Sequence, residues 1–234
     1  MRQVVHIFRK EFSAYFISPI AYIVIAIFLL ITGWFFFATF FIFNQANLRA
    51  FYALLPVVFA FVIPATTMRL ISEEINVGSD EILLTMPVTF RDVILGKFLA
   101  SVALVVAMLI PTIAYPLTVS LMGQLDWGPV VGGYLGAIFL GAAFSAVGLF
   151  ASALTRNQII AFIIGLAVCF TLTLIDKMLY FLPQSLLGVF AYLGADFHFQ
   201  NIAKGIIDSR DILYFVSICF VGLYGAYLAL LQRH

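Results

Sequence analysis

Residues 69–97 read RLISEEINVGSDEILLTMPVTFRDVILGK, a polar stretch in a chain of which only 10% of residues are charged. Arg69, Glu73, Glu74, Asp80, Glu81, Arg91, Asp92 and Lys97 all fall within it. The segments on either side are apolar and long enough to cross a bilayer, so the stretch between them must lie in water. Its spacing is helical. Ile71, Ile75, Gly78 and Ile82 recur at steps of four, three and four, which places them on one face. Glu73, Glu74 and Glu81 lie off that face. Pro87 ends the helix, and Thr89 with Asp92 three residues later gives a capping-box start for the next one. The segment reads as a short helix along the membrane surface, a turn, and a second helix that dives back in.

Composition agrees. A chain of 234 residues that is 64% hydrophobic, with mean hydropathy +1.14, is not an ordinary soluble domain. A net charge of +1 gives nucleic acid no electrostatic footprint. Cys169 and Cys219 both sit inside apolar runs, which suits neither a disulfide framework nor a metal site. His6, His198 and His234 are too scattered to form a ligand set.

Outward from the opening stretch, residues 2–18 form an amphipathic helix. Val4, Phe8, Phe12 and Phe16 repeat every four positions, opposite Arg2, His6, Arg9, Lys10 and Ser13. That pattern suits a helix lying in the headgroup plane. The alternative is the charged start of a signal peptide, but the apolar run that follows exceeds the ~7–15 residues of a signal core. Pro19 ends this helix. The chain 1–234 then reads as a single all-α transmembrane domain, with spans near 20–43, 51–70, 98–121, 130–154, 159–181 and 212–231. With six spans both termini share a side. That side carries eight Lys and Arg residues and the other four: Arg49, Lys177, Lys204 and Arg210. The bias predicts cytoplasmic termini and a cytoplasmic 71–97 elbow.

The 182–211 segment lies on the other side. Ser185–Ala195 is apolar but too short to span, and Phe199, Ile202, Ile206 and Ile207 form one face of a second short helix. The reading is a re-entrant helical pair, with a soluble loop as the alternative. Asp176 and Lys177 precede it. A charge at mid-bilayer costs about 3 kcal/mol, so these two are placed near the outer boundary or inside a protein cavity. They form an ion pair, mutual or between subunits, or else contact substrate.

Catalytic signatures are missing. There is no G-x-x-x-x-G-K-[ST] phosphate loop and no H-E-x-x-H. Ser145 and His198 make a poor protease pair, because Ala143 and Phe144 precede the serine and lack the elbow glycine. Spans one to four and six carry no mid-membrane acid of the kind an ion-coupled carrier uses. Pro56, Pro64, Pro111 and Pro116 favour kinks, either static or part of a moving bundle. Gly132, Gly133, Gly136 and Gly141 point to close helix contact.

The amphipathic start, the SPIAYI lead into span one, the 69–97 elbow, six spans and the outer apolar insertion together resemble the membrane subunits of ABC type-2 transporters. Within that superfamily the likeness is to the permeases associated with gliding motility, and more loosely to those of multicopper-enzyme maturation. The pattern E-E-x-x-x-G-x-x-E-x-L-L-x-x-P-V, carried by Glu73, Glu74, Gly78, Glu81, Leu83, Leu84, Pro87 and Val88, is its most specific part. The resemblance implies an exporter of the type V kind in the inner membrane, with no catalytic residues of its own. The elbow would be a coupling helix docking on a separate cytoplasmic ATPase, through Ser72, Glu73, Glu74, Gly78, Ser79 and Glu81. Gly78 would permit close backbone approach, and the glutamates would meet partner arginines; a solvated charged face is the plainer alternative. ATP and magnesium would belong to two ATPase copies. A second permease, identical or paralogous, would complete a path lined by spans one, two and five for an apolar or amphiphilic substrate. The competing reading is a membrane anchor that transmits ATP-driven motion to an outer-face accessory protein without moving cargo.

Overall fold

The computed structural model describes residues 2–43, 47–78, 89–178, 192–206 and 208–232, and no strand occurs among them. Helix α1 (Arg2–Ile17) turns at Ser18 and Pro19 into α2 (Ile20–Phe43). Helix α3 (Arg49–Thr67) runs through Pro56 and Pro64, and α4 (Arg69–Val77) follows after a break at Met68. Helix α5 (Phe90–Leu109), a tight turn at Pro111–Ile113 and α6 (Ala114–Met122) make the next crossing. Then come α7 (Trp127–Leu154), α8 (Gln158–Met178), the short α9 (Ala195–Ala203) and α10 (Ser209–Leu231).

Six helical stretches are long and apolar enough to cross a membrane: Ile20–Phe40, Arg49–Val77, Phe90–Met122, Trp127–Leu154, Gln158–Lys177 and Ser209–Leu231. The expected all-α, six-span architecture holds. The third crossing starts earlier than expected because the Thr89–Asp92 capping box works as read. Thr89 Oγ1 accepts from the Asp92 N–H, and the Asp92 carboxylate accepts from the Thr89 N–H at 3.2 Å.

Helix α7 is the hub, packed against α3, α4, α5, α8, α9 and α10. Its small residues make that crowding feasible. A Cβ at Gly133 would collide with the Tyr52 ring, and one at Gly148 with the Thr67 side chain. Helices α8 and α10 lie at the periphery, with only 22% and 17% of their most apolar stretches buried. The apolar interior divides into two clusters. One, at the end carrying both termini, joins Tyr15, Ile71, Ile75, Ile94, Leu149 and Leu230. The larger one extends to the far end, where Phe199 and Ile202 of α9 close it.

Two expectations shift. Helix α1 lies on α5, with Ile7 against Gly96 and Tyr15 fully buried. Steps of four overshoot a 3.6-residue turn by about 40° each, so the Phe8–Phe12–Phe16 stripe is only half-buried and Glu11 and Tyr15 share the inner side. At the far end, α9 stops at Ala203 and leaves Ile206 exposed beyond it. Residues 185–191 of the expected re-entrant pair, and Ile207, lie outside the described residues.

Candidate functional site

The break between α3 and α4 is made by a side chain from another helix. In an unbroken helix the Ile71 and Ser72 N–H groups would donate to carbonyls four residues back. Here both donate to Ser152 Oγ of α7, at 3.1 and 2.9 Å, and Ser152 donates in turn to the Met68 carbonyl at 2.7 Å. A hydroxyl inserted into the ladder interrupts the helix's own hydrogen bonding at that point. Leu70, Ile71, Ser72 and Ile75 then face the bundle, while Glu73, Asn76, Val77 and Gly78 are exposed.

This geometry revises several expected roles. Ser72 is fully buried, with its hydroxyl donating to the Met68 carbonyl, so it stands behind the exposed face rather than on it. Gly78 does not sit mid-helix. It terminates α4 in the left-handed region at φ 71°, its N–H reaching the Glu74 and Ile75 carbonyls, with nothing within 4 Å of where a Cβ would stand. Its value is conformational, since a glycine there incurs no Cβ strain. Ser79 and Glu81, and with them Ile82 and Pro87, lie outside the described residues.

Glu74 is already engaged within the chain. Its carboxylate accepts from Lys97 Nζ at 2.7 Å, and the same ammonium donates to Glu11 at 3.0 Å. Lys97 is only 2% exposed. The exposed Lys10 stands 3.8 Å from Glu11 and 3.9 Å from Glu74, completing a neutral set of two lysines and two glutamates. The cluster ties α1, α4 and α5 together. Tyr15 adds a second tie: its hydroxyl donates to the Thr66 carbonyl at 3.0 Å, and the Arg69 guanidinium lies 5.2 Å from its ring centroid. Burial pushes the Tyr15 phenol above its usual range, so it stays a neutral donor. Spacing alone does not pair Glu11 with Lys97, which lie 86 positions apart. Glu11 is the sole acidic residue before Glu73, and that isolation on an otherwise basic helix was the available signal.

At the far end, Asp176 and Lys177 form no ion pair with each other, so the mutual form of the expected pair is absent within the chain. Neighbours on a helix point about 100° apart, and Lys177 is exposed while Asp176 turns inward. Asp176 Oδ2 accepts from the Phe197 N–H at 2.6 Å in the first turn of α9, and Oδ1 is buried without a hydrogen-bond partner. His198 of α9 is buried between α9 and α10. Its Nδ1 faces Asp211 Oδ1 at 2.6 Å and its Nε2 faces the Tyr192 carbonyl at 3.1 Å. The Tyr214 ring stacks on the imidazole at 4.1 Å, and the Tyr214 hydroxyl donates to the Leu193 carbonyl. These bonds lock α9 to α8 and α10.

No hydrolytic centre is assembled from these parts. Ser145 accepts from the Ser101 hydroxyl at 2.8 Å, and His198 is held by Asp211 and Tyr192. Among the described residues no group of His, Cys, Asp or Glu could hold a metal ion. What the arrangement offers is mechanical: a short exposed helix end, wedged by Ser152 and braced to two other helices. A family model described as ABC-2 family transporter protein matches residues 5–203. No curated protein matches the chain.

Proposed function

The chain belongs to the ABC-2 transporter family, and from that premise we propose that it is the permease of an ABC exporter, driven through α4 by a separate ATPase subunit. Permeases of this family are membrane transport components and not themselves catalytic. The carrying observation is the way α4 is mounted. Glu73, Asn76 and Val77 fall at i, i+3 and i+4 on one exposed face. Behind that face, Ser152 and the Lys97 cluster fasten α4 to α7, α5 and α1. A push on such a helix end moves the bundle instead of bending a loop.

In this reading Glu73 supplies the docking charge and Val77, 74% exposed, supplies the apolar contact. Glu74 braces the platform from within. Ser79 and Glu81 continue the docking surface, and ATP and magnesium are held by two ATPase copies. The eight-to-four distribution of Lys and Arg supports cytoplasmic termini and a cytoplasmic α4, hence an inner-membrane protein. The sparsely buried outer faces of α2 and α8 suit a second permease copy, with apolar or amphiphilic cargo passing between. The narrower likeness to gliding-motility permeases rests on the Glu73–Val88 pattern.

The test is capture of the ATPase encoded with this chain, together with ATP turnover in the complex. Glu73→Lys with Val77→Asp should abolish capture and stimulated turnover, because an interfacial charge left unpaired costs about 2–5 kcal/mol. Asp92→Lys, beyond the elbow in the first turn of α5, should be mild. Normal capture and turnover by the double variant would overturn the assignment.

A further inference from the structure

Two hollows meet at the far end of the bundle. One, of about 330 Å³, lies among the residues that lead into α3 from Asn47, the start of α7 and the end of α9, and is lined by Arg49, Tyr52, Asp126, Gln200 and Lys204. The other, of about 320 Å³, runs between α2 and α3 and is lined by Phe36, Phe40, Ala50 and Ala53. They share Asn47 and Arg49.

The polar groups of the first hollow are mostly committed. The Tyr52 hydroxyl donates to the Val130 carbonyl, the Asp126 carboxylate accepts from the Gly128 N–H, and the Gln200 amide donates to Asp196. Arg49 and Lys204 differ. Neither forms an ion pair among the described residues. Only four Lys and Arg residues belong to this side of the chain, and two of them converge on one cavity. With Asp126 included, the lining charge is net positive. A concave site with two uncommitted cations suits a phosphate or carboxylate. Beyond Arg49, where a bound acid would end, the second hollow is mainly apolar, with Thr39 the one further polar side chain besides Asn47.

We propose that the far end holds an anionic amphiphile, its acidic headgroup between Arg49 and Lys204 and its aliphatic chain in the groove between α2 and α3. A free inorganic anion would leave the aromatic groove unused, and a zwitterionic lipid would bring its own cation to a site that already has two. The inference names the cargo class for the permease reading and rests on that reading for the step from binding to transport. Binding itself requires no ATPase.

The experiment is native mass spectrometry of the full chain in detergent with dioleoylphosphatidylglycerol, dioleoylphosphatidylcholine or inorganic phosphate. The anionic lipid should be retained about tenfold over the zwitterionic one, as expected when a charged hydrogen-bond acceptor is matched rather than left bare. Arg49→Gln with Lys204→Gln should erase that preference, and the exchange Arg49→Lys with Lys204→Arg should keep most of it. Ala53→Trp, which fills the groove without altering charge, should lower retention of both lipids. Excess inorganic phosphate should displace neither. Equal retention of the two lipids, an unchanged preference in the glutamine variant, or displacement by phosphate would each overturn the proposal. ATPase capture through α4 should be normal in all three variants. If capture fails for the unmodified chain while the lipid preference holds, the permease reading falls and the binding site stands.

Discussion

Ser152 holds three main-chain groups that a straight helix would pair internally, and Lys97 holds two carboxylates from two different helices. Removing either leaves partners stranded, and the consequences differ. Ser152→Ala strands two N–H donors and should cost about 1–3 kcal/mol, with faster hydrogen exchange confined to the Ile71 and Ser72 amides. Uniform acceleration across α4 would mean that the hydroxyl is not the wedge. Lys97→Met strands two facing glutamates and should lower stability by about 3 kcal/mol, measured as the melting of the detergent-solubilised chain. Adding Glu11→Gln and Glu74→Gln should restore most of that loss, since no part-buried carboxylate is then left uncompensated and the remaining Lys10 is exposed to water. Neither residue's task was legible in the sequence. A serine amid small residues of an apolar helix reads as packing, and Lys97 reads as the last charge before a span.

Short helices depend on their ends, and α4 and α9 use different devices. Helix α4 stops because Gly78 takes φ 71°. Gly78→Ala should cost about 1 kcal/mol and fray the Val77 end, weakening ATPase capture more mildly than charge reversal at Glu73. Helix α9 begins against the Asp176 carboxylate, and a Cβ at Gly194 would run into that same group. Asp176→Ala and Gly194→Ala should therefore share one phenotype: release of α9, read as increased labelling of a cysteine placed at the buried Ala203. Protection of that cysteine in both variants would contradict the lock. At this scale the sequence was half legible. Ile71 and Ile75 face inward and the Thr89–Asp92 box forms as the spacing said, because both signals are local. The role of Asp176 depends on a residue 21 positions away, which spacing cannot reveal.

For the molecule as a whole, the six-span plan was legible because bilayer thickness imposes a length on every apolar segment. The centrality of α7 was foreshadowed by its glycines, whereas the two adjoining hollows arise from three separated segments and had no local signature. Sidedness is directly checkable. In a chain lacking Cys169 and Cys219, cysteine at the exposed Asn76 should label only from the cytoplasm and cysteine at Ser209 only from outside. Labelling of both from one face would end the six-span topology. The lysine cluster also bears on how the protein is made. Synthesis proceeds from the N-terminus, so Glu11 and Glu74 are both in place before Lys97 emerges. Until then the buried ammonium that both carboxylates share is missing. The tie among α1, α4 and α5 can therefore form only once the start of α5 has been made.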